Sequence, residues 1–416
     1  MAEPRDVFIV CNNTDAMGGL QRWAHHLARL LVGRGHRVTL VGVTHAAEPQ
    51  LYRSEESYDV RVLHHDWRPP ALRHRPRTLS QRLNAAAWAR DLWRTAEMRK
   101  GVDRLSSIFA SARRPGGVII AAQVWAMEWV ARADTGGMKV IGMSHESYEA
   151  SRRSTRHRRG KEFFAGTDRF LTLTAEDADA WARDGMTNAD HMPNPLHVSP
   201  NRFPTLAEPV VACVGRLSYE KGVDMLLEAW ERVAPEHPDW RLHIYGDGPA
   251  APDLRHQAES AGLSGSVEFK GMTDDIEAAL TEASIFALPS RDEGFPMSVL
   301  ESMAYGLPTV GFDCAPGVRE LLNEEENGLL AERGDIFAFA EALDRLMGDA
   351  ALRRSMGAAA RNSVLRFHPD TVLDRWERLF SLLHRDGSAD EFPSALPAMP
   401  LETETTRTPV NVKVDS

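Results

Sequence analysis

The chain has 416 residues, 43% of them hydrophobic, and a formal net charge of −10. Such a length predicts about two or three domains, with enough apolar side chains to fill separate cores. Cys11, Cys213 and Cys314 are odd in number and scattered, which excludes a disulfide framework or cysteine metal cluster, and no apolar stretch reaches the about 18 residues of a spanning helix.

The amino terminus, MAEPRDVF, is charged and runs straight into an apolar segment, so no secretory leader is expected. VFIVCN, HRVTLVGV, GGVIIAA, MKVIGMS and RFLTLT then follow as short buried strands separated by helical runs, the pattern of a doubly wound parallel sheet. Gly18 and Gly19 lie where the first strand turns into a helix at Leu20, and His145 ends the strand MKVIGMS. Arg99 to Arg114 is too polar to assign. His25 and His26 fall in the first helix and His64 and His65 at a strand end or loop, with no chemistry ascribed to them. Asp177-Ala178-Asp179, the sole Asp-x-Asp, falls in a helical run and reads as a solvated first turn whose acids favour the helix N-terminus, not as a metal site.

Charge divides the chain. Residues 1–200 hold 29 Lys and Arg against 22 Asp and Glu, and the remainder 20 against 37. The surplus concentrates at Arg68, Arg73, Arg75, Arg77 and Arg82, and again at Arg152, Arg153, Arg156, Arg158, Arg159 and Lys161, in the half that also carries Trp67, Trp88, Trp93, Trp125 and Trp129. Basic and aromatic residues together suit an anionic membrane surface, at about 1 kcal/mol per cation, or else form solvated loops. Nucleic acid is not expected as a partner, since no binding motif accompanies the charge.

Prolines 193, 195, 200, 204 and 209 mark a hinge, dividing residues 1–195 from 196–368. PVVACVG, WRLHIYG, SVEFKG, SIFALPS and LPTVGF repeat the strand pattern beyond it. In VACVGRLSYEKG a strand leads to Gly215, Arg216, Lys221 and Gly222 and then an apolar-periodic helix; a planar fork and a point charge at a strand end fit a diphosphate. In EGFPMSVLE, Glu293 precedes a helix with Pro296 as its expected first residue, and Glu301 lies about 8 Å along the axis at about 1.5 Å per residue. That helix end suits a phosphate and the carboxylates suit sugar hydroxyls. An apolar stripe at Val372, Trp376, Leu379, Phe380 and Leu383 predicts a last amphipathic helix over 369–386, and the Pro/Thr/Glu-rich stretch 387–416 reads as disordered.

From about residue 6 to 385 the chain resembles the retaining glycosyltransferases of the GT-B fold, and within them the group 1, or family 4, enzymes. The resemblance is carried by Gly18-Gly19, His145, the GR…KG pair, the GDGP turn at Gly246 to Pro249, and ALPSRDEGFPMSVLESMAYGLPTVGFD. It implies an α/β architecture of two Rossmann-like domains facing a cleft, an acceptor-side domain first and a nucleotide-sugar domain second, with a C-terminal helix crossing back to the first. It also implies that Arg216 and Lys221 neutralise the departing diphosphate, that Glu301 accepts ribose hydroxyls, and that Glu293 with the backbone of Gly294, Phe295, Pro296 and Met297 holds the donor sugar. Gly18 and Gly19 would let the first domain's backbone approach the donor, and His145 would stand near the reacting sugar. Retention requires no carboxylate nucleophile, so both glutamates are binders, unlike the paired catalytic carboxylates of a hydrolase.

The expected activity is hexosyl or N-acetylhexosaminyl transfer from a UDP-sugar, with GDP second, to a hydroxyl acceptor, a lipid-linked cell-surface glycan or polymer. No cofactor or metal is expected, because Arg216 and Lys221 supply the charge. A cytoplasmic enzyme on the inner face of the plasma membrane fits the basic half. The alternatives are a sugar-nucleotide epimerase of similar architecture, a transferase acting on a small secondary metabolite, and a non-enzymatic ligand-binding protein.

Overall fold

A computed structural model describes residues 3–49, 57–64, 85–273 and 275–384. The apolar runs of the amino half form a seven-stranded sheet from β1 (Asp6–Cys11), β2 (Arg37–Thr44), β3 (Asp59–His64), β4 (Val118–Ala121), β5 (Lys139–Met143), β6 (Arg169–Thr172) and β7 (Ala189–His191). Its order is β3-β2-β1-β4-β5-β6-β7, all parallel. The second half adds a six-stranded parallel sheet, β10-β9-β8-β11-β12-β13, from β8 (Val210–Val214), β9 (Arg241–Tyr245), β10 (Val267–Gly271), β11 (Ile285–Leu288), β12 (Thr309–Asp313) and β13 (Gly328–Glu332). Central strands such as β1, β4 and β11 are buried along their whole length, as a sheet covered on both faces requires.

The strands without a clear sequence signal, β3, β7 and β13, are those at or near the sheet edges. β3 exposes Asp59, Val60 and Arg61, and β7 has only three residues, so neither offers a continuous apolar run. The unassigned polar stretch is helical: the helix Ala85–Phe109 runs through it, with Leu105 and Phe109 buried.

Strand order reverses between β1 and β4 in the first sheet and between β8 and β11 in the second. Crevices open beyond the carboxyl ends of strands at such switch points. Gly18-Gly19 follows β1, the GR…KG loop follows β8, and the EGFP turn follows β11, so both reversals aim glycine-rich turns into the gap between the sheets.

One apolar cluster crosses that gap, joining Trp23 and Leu27 of the first domain, Met192 and Leu196 of the connection, Phe295 and Val299 of the second, and Trp376 and Phe380 near the C-terminus. The helix Pro369–Leu383 buries the expected stripe. It is tied to the first domain by Arg34, whose guanidinium reaches Asp370 and Asp374 at 2.9 Å each, and by Arg375, which donates to the His191 carbonyl at 3.2 Å. Where the chain passes between domains its two crossings lie side by side, Leu196 N donating to Phe367 O at 2.8 Å. The stretch 387–416, and Trp67 with Arg68 to Arg82, lie outside the described residues.

Candidate functional site

The loop after β8 is shaped by Gly222. Its φ of 63° is left-handed, and a Cβ there would stand 2.0 Å from the Pro289 carbonyl oxygen, so only glycine fits on both counts. This approach lays the loop against the end of β11, and Lys221 Nζ meets Glu293 Oε1 at 2.6 Å while Ser290 Oγ donates to the same oxygen at 2.7 Å. Arg216 is exposed, and its side chain makes no hydrogen bond or ion pair with the described residues. The loop thus carries a half-buried lysine held by a nearly buried carboxylate and, five residues earlier, an exposed guanidinium, two cations that an anion can meet.

Pro296 is not the first helical residue. Its extended backbone (φ −72°, ψ 96°) makes it the N-cap of the helix Met297–Tyr305, which has no side-chain cap and no acid in its first turn; Val299 N donates to the Pro296 carbonyl, which leaves the N–H groups of Met297 and Ser298 without a partner from their own segment. Phe295 is buried edge-on to Phe367 at 5.5 Å and anchors the turn in the apolar cluster. Gly294 abuts the other domain: a Cβ there would stand 2.0 Å from the His145 carbonyl oxygen. Glu301 is buried, with Oε1 2.7 Å from His197 Nε2 and 3.7 Å from Arg22 Nη1.

From the first domain, Gly19 opens the helix Gly19–Gly33, which likewise lacks a side-chain cap and first-turn acids. An added Cβ at Gly19 would meet nothing within 4 Å, whereas at Gly18 it would meet the flexible end of Gln21. Trp23 stands edge-on to His145 with centroids 4.4 Å apart, and both Trp23 Nε1 and His145 Nε2 are buried without a hydrogen-bond partner among the described residues. Such orphaned atoms are uncommon in folded proteins, and these two sit at the domain seam. Burial pushes His145 down to about 3, and burial followed by the neighbouring His197 pushes His26 down to about 4, so both are neutral near pH 7.

The sign of the consequence follows from linkage. Above about pH 6.5 neither the folded nor the unfolded chain protonates these rings. Below it the unfolded chain takes up protons that folded His26 and His145 refuse, so stability falls, by about 2 kcal/mol for each ring at pH 5. Urea unfolding midpoints at pH 7 and pH 5 should show this drop, and His26→Gln should flatten it; an equal drop in the variant would mean that His26 is not the source.

Sequence reasoning missed four residues that touch the site. Ser290 lay inside the quoted motif, three residues before Glu293, and Arg22 was legible as a cation in the first turn after Gly19. His197 and Trp23 carried no signal, because their partners are distant in sequence. A small pocket at the domain seam, about 30 Å³, is lined by Gly19, Arg22, Trp23, His197 and Met297 among others. A larger cavity of about 340 Å³ is lined by Glu149, Glu176, Asp177 and Asp184 with Arg183, the wrong sign for a diphosphate.

Two expectations change. Asp177 is not solvated: it is buried, accepts from Tyr148 N at 2.8 Å and from Thr174 Oγ1 at 2.8 Å, and burial raises its pKa. The carboxylate holds the first N–H of the helix at Tyr148, while Thr174 Oγ1 caps the helix that carries Asp177; of the two aspartates only Asp179 is exposed. The basic run 152–161 is largely paired, through Arg152–Glu149, Arg153–Asp292, Arg156–Glu146, Arg159–Glu128 and Lys161–Asp184. Among the described residues no three His, Cys, Asp or Glu side chains are grouped to hold a metal ion, and no helix is long and apolar enough to cross a membrane.

Residues 17–201 match the family model Glycosyltransferase Family 4 and residues 201–363 match Glycosyl transferases group 1. Over 212 residues the chain is 34% identical to an uncharacterized glycosyltransferase of Haemophilus influenzae, covering 50% of this chain and 60% of that protein. Over 221 residues it is 37% identical to an exopolysaccharide phosphotransferase of Streptomyces coelicolor, covering 51% of this chain but 23% of that protein. The chain thus spans less than two thirds of either relative. The fold is shared with HepE of Anabaena, solved with UDP-glucose, at a TM-score of 0.67 and 16% identity over 91% of this chain and 100% of that one.

Proposed function

Since the chain belongs to the glycosyltransferases of group 1 and family 4, we propose that it moves a hexosyl or N-acetylhexosaminyl group from a nucleotide sugar, UDP-linked in preference to GDP-linked, to a hydroxyl acceptor with retention. The observation that carries this is the Lys221–Glu293–Ser290 group beside the uncapped start of the helix that also bears Glu301. Arg216 and Lys221 neutralise charge on the departing diphosphate, where preorganised contacts act most strongly. Glu301 takes ribose hydroxyls, and Glu293 with the backbone from Gly294 to Met297 takes the sugar. Glu293 Oε1 already accepts from Lys221 Nζ and Ser290 Oγ, which suits a binder, not a nucleophile. His145, held neutral, offers an unpaired Nε2 to a sugar hydroxyl. Gly18 and Gly19 leave the start of the first helix open to the donor.

The UDP preference is supported by the UDP-glucose complex of the similarly folded HepE, and a polysaccharide acceptor by the exopolysaccharide named for the Streptomyces relative; that this acceptor is a lipid-linked cell-surface glycan is part of the proposal. The reaction proceeds without a metal cofactor, because cationic side chains serve the diphosphate.

Purified protein with a panel of UDP-, GDP- and ADP-sugars should release nucleotide only when an acceptor is present, and should continue to do so in excess EDTA. Donor conversion without acceptor would favour an epimerase. Loss of activity in EDTA, restored by Mg²⁺ or Mn²⁺, would overturn metal independence.

We also propose peripheral association with anionic membrane on the cytoplasmic side, through the first domain. Because the 152–161 cations already face carboxylates, the attraction rests on Arg68 to Arg82. Binding to anionic vesicles should exceed binding to neutral ones and weaken as screening shortens from about 10 Å at 0.1 M salt to about 3 Å at 1 M. Replacing Arg73, Arg75 and Arg77 by Ser should abolish it, whereas equal recovery on both lipids would remove the proposal.

A further inference from the structure

Glu301 is only 3% exposed, and a carboxylate so deep has to be paired, since an isolated buried charge is strongly unfavourable. Its Oε1 has two cationic or potentially cationic neighbours, His197 Nε2 at 2.7 Å and Arg22 Nη1 at 3.7 Å, while Oε2 makes no hydrogen bond with the described residues. The three side chains come from three parts of the fold. Glu301 belongs to the second domain, Arg22 to the first turn of the helix Gly19–Gly33, and His197 to the crossing between them. Arg22 is mostly exposed, whereas His197 is 14% exposed. The ring of His197 stands edge-on to that of His26 with centroids 6.0 Å apart, and His26 Nε2 donates to the carbonyl of Leu196 at 3.2 Å. The crossing is thereby fixed from the first domain immediately before His197.

We infer that His197 is a positioning residue for nucleoside recognition: it occupies one oxygen of Glu301 and leaves the other to accept the ribose hydroxyls of a bound nucleoside diphosphate. This rests on the role given to Glu301 above. His197 makes and breaks no bond in the transfer; it acts through Glu301, and it makes ribose recognition depend on the segment that joins the two domains. A residue that merely supported the fold would affect every ligand alike, whereas this role acts only on ligands that carry ribose hydroxyls.

The test compares binding of UDP and GDP with binding of their 2′,3′-dideoxy forms, by calorimetry, in the wild type, His197→Ala and His197→Gln, with melting curves to establish folding. The wild type should prefer the ribose form by about tenfold or more, the scale of a hydrogen bond to a charged acceptor. His197→Ala should lose most of that preference while its affinity for the dideoxy form stays unchanged, and His197→Gln, which keeps a donor, should recover part of it. Retention of the full preference in His197→Ala, or an equal weakening towards both forms, would overturn the inference. Should the alanine variant fail to fold, His197→Gln against His197→Leu makes the same comparison. Failure of the wild type to bind either UDP or GDP would be a different result, overturning the proposed function itself.

Discussion

Lys221→Ala should lower turnover by about 10² to 10³-fold, the usual effect of removing one preorganised contact to developing charge. Lys221 is the cation that both its loop and its partner hold in place: Gly222 fixes the loop against Pro289, and Glu293 Oε1 sits 2.6 Å from Nζ. The variant leaves Glu293 nearly buried with Ser290 alone, so a moderate fall in stability accompanies the loss. Lys221→Arg separates the two effects, because it keeps the charge but misplaces it; partial activity with full stability is expected. Glu301→Ala should lower turnover on a similar scale through weaker nucleoside binding. Wild-type kcat/KM in folded Lys221→Ala would remove Lys221 from the site.

Gly294→Ala should reduce activity by about 10²-fold, although it adds one methyl group far smaller than any ligand, because a displacement of about 1 Å at a reacting centre has that effect. The new Cβ would stand 2.0 Å from the His145 carbonyl oxygen and 3.3 Å from Glu146 Cα. Both neighbours are backbone, which cannot rotate away, so the strand-end segment of the first domain and the donor turn of the second have to separate. Phe295, the next residue, is buried in the apolar cluster that crosses the gap, so the melting temperature should fall as well. Small-angle scattering should show a larger radius of gyration with donor bound than in the wild type. Unchanged kinetics and scattering would mean that the two domains do not approach so closely during turnover.

The central strands and the loops they deliver were legible because buried parallel strands are continuous apolar runs and glycine punctuates their ends. Lys221 and Glu293, 72 residues apart, do form a pair, and the sequence grouped them only through a family resemblance. What escaped was of two kinds. Edge strands such as β7 are short and half-exposed, so their pattern is weak. Partners brought together by tertiary structure leave no local trace: nothing around His197 announces Glu301, and nothing around Arg153 announces Asp292. Asp177 shows the opposite error, a residue in an acidic run that local composition assigns to water and that the fold buries under the backbone N–H of Tyr148.

The chain crosses between its halves twice, and the crossings are hydrogen-bonded to each other at Leu196 and Phe367. A single strand between two bodies acts as a swivel, permitting bend, twist and spin. Two strands fastened together act as a leaf hinge: spin would tear the Leu196–Phe367 bond, and sliding would drag Arg34 off Asp370 and Asp374. Bending about one short axis is the motion that would keep both fastenings, and such a bend would close on the contact of Gly294 with the His145 carbonyl.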